Sequence, residues 1–123
     1  MNSITITLPL PSPKLSPNAR THWAEKAKLT KASRKAAYYA ALEALNLRKP
    51  PGWIKAKLEV KAFFKTNRSR DADNFMASLK SVCDGIADSG IIANDKGLWP
   101  ERPVFAKDTG NPRIEITITE EIK

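Results

Sequence analysis

Cysteine is nearly absent from this chain of 123 residues: Cys83 stands alone, which excludes an internal disulfide framework and a zinc site built from several thiolates. Histidine is limited to His22. No apolar run approaches the ~18 residues that a membrane-spanning helix needs, so no membrane partner is expected. The opening Met1-Asn2-Ser3-Ile4-Thr5 has no basic segment followed by an apolar stretch, so a secretory signal is not expected and a reducing cytoplasm is the natural compartment. Acids are the scarcer charge: 13 Asp and Glu face 21 Lys and Arg, a net charge of +8. A domain this basic usually faces a polyanion, which means DNA, RNA or an acidic membrane surface. Hydrophobic residues at 41% and charged residues at 28% exclude wholesale disorder, and the length suits one domain, residues 1–123, with one modest core.

The hydrophobic pattern predicts the elements. Residues 3–8 alternate strictly, with Ile4, Ile6 and Leu8 on one side, as a half-buried strand does. Four prolines between Pro9 and Pro17 make residues 9–20 an extended, semi-rigid loop. Residues 21–47 lack Gly and Pro and favour helix, which Pro50, Pro51 and Gly52 stop. The clearest strand is 54–65, where Ile54, Ala56, Leu58, Val60, Ala62 and Phe64 alternate with Lys55, Lys57, Glu59, Lys61 and Lys65, and only Phe63 interrupts the polar set. A basic loop, 66–70, leads to a second helix near 74–89, closed by Gly90. A turn at 94–97, a weak strand at 102–107, a loop or hairpin at 108–112 and a strand at 113–119 follow. The fold expected is α/β in the α+β two-layer sense: a small mixed sheet of about four strands with two helices packed on it.

On a helical wheel the second helix puts Phe75, Met76, Leu79, Val82, Cys83 and Ile86 on one side, and Asp73, Ala77, Lys80, Asp84 and Asp88 on the other. Five of the six aspartates lie between Asp71 and Asp95. Gathered carboxylates repel unless a cation sits among them, and oxygen-only ligands suit Mg²⁺ or Mn²⁺. Asp71-Ala72-Asp73 can aim two carboxylates at one point, and Asp95 completes the site if the chain folds back. The competing reading is structural: Asp73 as helix N-cap with Asp71 favouring the positive helix end, Asp88 solvated, and Asp84 in an i,i+4 pair with Lys80.

In combination these residues are specific. Arg70-Asp71-Ala72-Asp73-Asn74, Lys80, Asp84-Gly85-Ile86, Gly90-Ile91-Ile92 and Asn94-Asp95 together resemble the RusA family of Holliday junction resolvases. Leu15-Ser16-Pro17-Asn18-Ala19-Arg20-Thr21-His22-Trp23 is similar to the same stretch in phage-borne members. The resemblance implies a Mg²⁺-dependent endonuclease, with Mn²⁺ able to substitute, acting as a homodimer on four-way DNA junctions. It implies Asp71, Asp73 and Asp95 as catalytic metal ligands and Lys80 as the catalytic lysine, set to stabilise the phosphate or position the water. The chain departs from the family at Asn94, where members often carry a second acid, and in the seven-residue gap from Asp73 to Lys80.

The cations agree with a DNA substrate. Arg20, Lys28, Lys31, Arg34 and Lys35 crowd one end of the first helix, and Arg68 and Arg70 flank the acidic pair, so these seven are the expected nucleic-acid contacts. Lys55, Lys57 and Lys61 read as the polar face of a strand. His22 contacts a phosphate or caps the first helix, Cys83 is core, and Trp53 and Trp99 pack, with base stacking open to Trp99. Two rival readings remain: a non-catalytic DNA- or RNA-binding module, and a glycosyltransferase using Asp-x-Asp, for whose nucleotide-sugar fold the chain is short.

Overall fold

The computed structural model describes residues 2–121. The elements run β1 (Ser3–Leu8), α1 (Trp23–Leu45), β2 (Ala56–Phe64), α2 (Ala72–Ala77), α3 (Lys80–Asp88), β3 (Leu98–Pro100), β4 (Val104–Lys107) and β5 (Arg113–Glu120), with 3-10 turns at Pro13–Leu15 and Asp95–Gly97. The expected α+β architecture is present, with five strands in place of about four. The strand added to the expectation is β3, whose three residues are too short for alternation to reveal.

The sheet has the order β1-β5-β2, with β3 and then β4 on the far edge of β2. β5 lies antiparallel to both β1 and β2, while β3 and β4 run parallel to β2. Because β4 and β5 lie on opposite edges of β2, residues 108–112 cross over its end and form no hairpin. Asp108 anchors this crossing: its amide donates to the Phe64 carbonyl at 2.8 Å, and its carboxylate accepts from the Gly110 and Asn111 amides and from Arg113.

Strand alternation sets the burial. Ile4, Ile6 and Leu8 of β1, Leu58 and Val60 of β2, and Ile114, Ile116 and Ile118 of β5 are all buried on one face. Against them pack Ala37, Ala41 and Leu45 of α1, Val82 and Ile86 of α3, and Leu79 just before it. Burying each such leucine or isoleucine contributes ~1.5–3 kcal/mol. The opposite face carries Lys57, Glu59 and Lys61, as read from the sequence, with Lys57 and Glu59 3.9 Å apart. Trp53 is buried as expected, whereas Trp99 is exposed with the Lys55 ammonium 4.4 Å from its ring centroid.

Helix boundaries differ from expectation at several points. α1 ends at Leu45, ahead of the prolines, because Asn46 takes the left-handed conformation (φ 48°) that closes a helix. The second predicted helix is divided. At Ser78 and Leu79 the amides turn back to the carbonyls of Phe75 and Met76, at 3.1 and 3.0 Å, and α3 starts afresh at Lys80. The apolar face survives the break: Leu79, Val82 and Ile86 are buried, and Phe75, Met76 and Cys83 pack partly buried against the core. Among the described residues no helix is long and apolar enough to cross a membrane.

Candidate functional site

Lys80, at the start of α3, is the hub of one acidic cluster. Its ammonium donates to Asp84, one turn on, at 2.7 Å and to Asp95 at 3.2 Å. Backbone pairing brings Asp95 there. The segment after α3 runs alongside the residues that lead into β2, with Gly52 and Trp53 donating to the Gly90 and Ile91 carbonyls and Ala93 donating to the Trp53 carbonyl. Asn94 then turns the chain, its side-chain oxygen accepting from the Lys96 amide at 3.0 Å. Gly97 closes the turn directly against the Ile54 carbonyl, where a Cβ has no room. Asp95 is therefore fixed by the sheet edge.

The Lys80 ammonium holds the Asp95 carboxyl below the usual carboxylate range, and Asp84 first, then Asp95, raises the Lys80 ammonium above its own. The signs follow. Asp95, with a depressed folded value, favours the folded state above its unfolded value of ~3.9, and that contribution is lost as pH falls through the folded value. Lys80 contributes below ~10.4, and its share is lost as pH rises through its raised value. In Lys80→Met the Asp95 carboxyl returns upward toward the ordinary range, read as its carboxyl carbon shift against pH. An unmoved titration curve would show that the pair does not form.

The second cluster lies at the β2–α2 junction. Asp71, not Asp73, caps α2: its carboxylate accepts from the Asn74 amide at 3.0 Å, and Asp73 falls in the first turn. The helix thus starts two residues earlier than expected, and Asp73 keeps an exposed side chain. Arg70 stacks its guanidinium 3.6 Å from the Phe64 ring centroid and donates to the Thr66 carbonyl at 3.2 Å. Burial first, and then the charge of Arg68, push the Arg70 guanidinium below its usual value. Phe64 itself is gripped edge-on by Phe75 and Phe105. Between this junction and the proline-rich loop opens a cavity of about 620 Å³, into which Arg68, Arg70 and Asp71 all face.

The expected meeting of Asp71, Asp73 and Asp95 in one metal-holding group is not formed. Among the described residues no three or more His, Cys, Asp or Glu side chains group so as to hold a metal ion. Asp95 already faces a cation, the Lys80 ammonium, and Asp84 is the acid that shares it. The donor chemistry still suits a hard divalent cation, because all three are carboxylates and such an ion needs only one or two of these beside phosphate oxygens and water.

The remaining site candidates separate cleanly. Arg20, Lys28, Lys31 and Lys35 are exposed. Arg34, expected on DNA, makes a two-pronged pair with Asp88 at 2.7 and 2.8 Å, and this holds the Asp88 carboxyl below its ordinary range. Asp88 is thus an inter-helix anchor and not merely a solvated charge. Nothing local in the sequence announces that pair, whose members lie 54 residues apart. His22 caps α1, its ring nitrogen accepting from the Ala24 amide at 3.2 Å. Burial pushes the Cys83 thiol up to about 11, so it stays an inert core thiol. The sequence reading missed Phe64 as the platform for Arg70; a phenylalanine ending a strand just before a basic loop was the available signal.

The chain is similar to proteins already known. An uncharacterized protein of Xylella fastidiosa is 38% identical over 124 residues, spanning 94% of this chain and 75% of its own length. The crystal structure of cyanuic acid hydrolase from A. caulinodans overlaps with a TM-score of 0.42 at 14% identity, covering 97% of this chain and 38% of that one, a likeness that carries no argument. The family model described as endodeoxyribonuclease RusA matches residues 9–119, a span containing both clusters and the cavity, and the chain belongs to that family.

Proposed function

We propose that this chain is a Mg²⁺-dependent endonuclease that resolves four-way DNA junctions as a homodimer by paired phosphodiester hydrolysis. The observation that carries the reading is the juxtaposition, in one cavity, of Arg68 and Arg70 with Asp71, in a chain of the RusA family. Cations beside a carboxylate suit a phosphodiester: the guanidiniums would take the phosphate, and the carboxylate would be left to hold a cation beside it. Asp71, Asp73 and Asp95 would hold the cation, which when bound lowers the pKa of water and stabilises charge on the phosphate oxygens. For Asp95 this means exchanging its Lys80 partner. Lys80, whose ammonium lies 3.2 Å from Asp95, would then be free to face the leaving or a non-bridging oxygen. A four-way junction has two-fold symmetry, and a two-fold dimer offers two equal sites for it.

The test is a labelled synthetic four-way junction incubated with purified protein in Mg²⁺ and in EDTA. Symmetric nicks only with the metal support the reading; tight binding without nicks in any divalent ion makes the chain a basic nucleic-acid binder instead. Electrostatics supply a second measurement. Lys28, Lys31 and Lys35 are exposed at helical spacing on α1, and each phosphate neutralised contributes ~0.9 to the slope of log affinity against log salt. Replacing all three by Gln lowers that slope by ~3 if all three touch phosphate. An unchanged slope removes α1 from the DNA surface.

A further inference from the structure

We propose that the cavity between residues 10–13 and the β2–α2 junction is a nucleotide subsite, which takes one unstacked nucleotide of the cut strand with its base against Phe75 and its phosphate on Arg68 and Arg70. The inference rests on the junction-nuclease reading and deepens it by naming what the cavity binds.

The charge argument comes from contrast. Several cations of the fold are paired with acids: Arg34 with Asp88, Lys80 with Asp84 and Asp95, Arg113 with Asp108 and Glu115. Lys65, Arg68 and Arg70 line this cavity, and among the described residues none of the three forms an ion pair with a carboxylate. Three cations against the single carboxylate of Asp71 leave the concavity with an excess of positive charge, which favours an anion. Arg70 is also held in place by its stack on Phe64, so its planar fork is presented ready-made.

The wall argument separates a nucleotide from a bare anion. Phosphate alone needs no apolar surface, yet Leu10, Pro11, Pro13 and Phe75 also line the space. The prolines fix their own φ and make that wall rigid, so the space exists before a ligand arrives. A flat base stacks on an aromatic face whatever its identity. Ser78 and Asn74, also lining the space, offer hydrogen-bonding groups to a base edge. Asp71 also lines the space, and its charge would repel the phosphate, which therefore goes to the Arg68 and Arg70 guanidiniums unless a cation intervenes. At about 620 Å³ the cavity falls within the range of small-molecule sites.

The experiment titrates ¹⁵N-labelled protein in EDTA with the four deoxynucleoside 5′-monophosphates, with deoxyribose 5-phosphate and with inorganic phosphate. Nucleotides should shift the amides of Leu10, Phe75 and Ser78 together with those of residues 65–70, about tenfold more tightly than the sugar phosphate does. Inorganic phosphate should move residues 65–70 alone. Arg68→Gln, an exposed loop substitution, should weaken nucleotide and sugar phosphate by the same factor. Equal affinity for nucleotide and sugar phosphate, or no shift at Phe75, overturns the subsite. So do shifts there that follow protein concentration in place of nucleotide, since a second copy then fills the cavity. The titration needs neither junction nor cleavage. A chain that cuts junctions yet ignores nucleotides overturns the subsite alone, and one that binds nucleotides yet never cuts overturns the nuclease reading alone.

Discussion

Asp71→Asn should reduce junction cleavage by ~10³-fold or more while the protein stays folded and still binds junctions. The substitution separates two roles that Asp71 combines. Its carboxylate caps α2 by accepting from the Asn74 amide at 3.0 Å. Asparagine caps about as well as aspartate, because the accepting oxygen is retained. Only the favourable charge at the helix start is lost, worth ~0.3–1 kcal/mol, so thermal stability should fall by only a few degrees. What asparagine cannot do is offer an anionic oxygen to a divalent cation. Removing a negative charge beside Arg68 and Arg70 should also tighten junction binding, since one repulsion toward phosphate disappears. Asp71→Ala is the informative contrast: it loses cap and charge together, and costs ~1 kcal/mol of stability on top of the same loss of cleavage. Single-turnover cleavage, gel-shift binding and thermal melting of the two variants separate the roles. Cleavage by Asp71→Asn within about tenfold of the parent would remove Asp71 from the catalytic set.

Most of the frame was legible in the sequence because it rests on local periodicity. Ile4, Ile6 and Leu8, and likewise Ile114, Ile116 and Ile118, alternate without interruption, and every one is buried in the sheet they predict. The break at Ser78 and Leu79 was not legible, because Phe75, Met76, Leu79, Val82 and Ile86 keep helical spacing across it and the pattern records only which face is apolar. β3 escaped because Leu98-Trp99-Pro100 is three residues long and ends on a proline, tolerated there since no further strand pairs beyond it. The N-cap was ambiguous by chemistry: Asp71 and Asp73 are equally suited, and the start of α2 decides between them. At the site the residues were legible and their partners were not. Lys80 and Asp84 sit one turn apart, so that pair follows from spacing. The link from Lys80 to Asp95 depends on how residues 90–93 pair with the strand edge, and the link from Arg34 to Asp88 on how α1 crosses α3. Tertiary packing settles both, and no window of sequence contains it.

That helix crossing makes the second large effect. Gly85→Ala should destabilise the protein by ~2 kcal/mol or more, although alanine is the better helix former by about 1 kcal/mol. Gly85 sits inside α3 where α1 crosses closest. A Cβ placed there meets the Arg34 carbonyl directly, with the Ala37 Cβ at 2.9 Å and the Tyr38 amide nitrogen at 3.1 Å. Two of those three obstacles are backbone, which cannot swing aside as a long side chain does. The helices must therefore separate, loosening Ala37, Val82 and Ile86 in the core and stretching the Arg34–Asp88 pair. Overpacking usually costs ~1–3 kcal/mol, and an unyielding neighbour places this case at the upper end, above what helix propensity returns. At this chain length the net loss corresponds to a fall in Tm of ~8 °C. Gly110→Ala is the matched control. Its nearest neighbour to a new Cβ is the Asp108 carboxylate at 3.8 Å, so no clash opposes the change. It should be neutral or stabilising by up to ~1 kcal/mol through the reduced freedom of the unfolded chain. Thermal melts of the two variants side by side therefore move apart. A Gly85→Ala protein that melts at or above the parent would show that α1 and α3 do not approach as closely as described, and with that the placement of Lys80 and Asp84 on α3 relative to Arg34 on α1 would have to be redrawn.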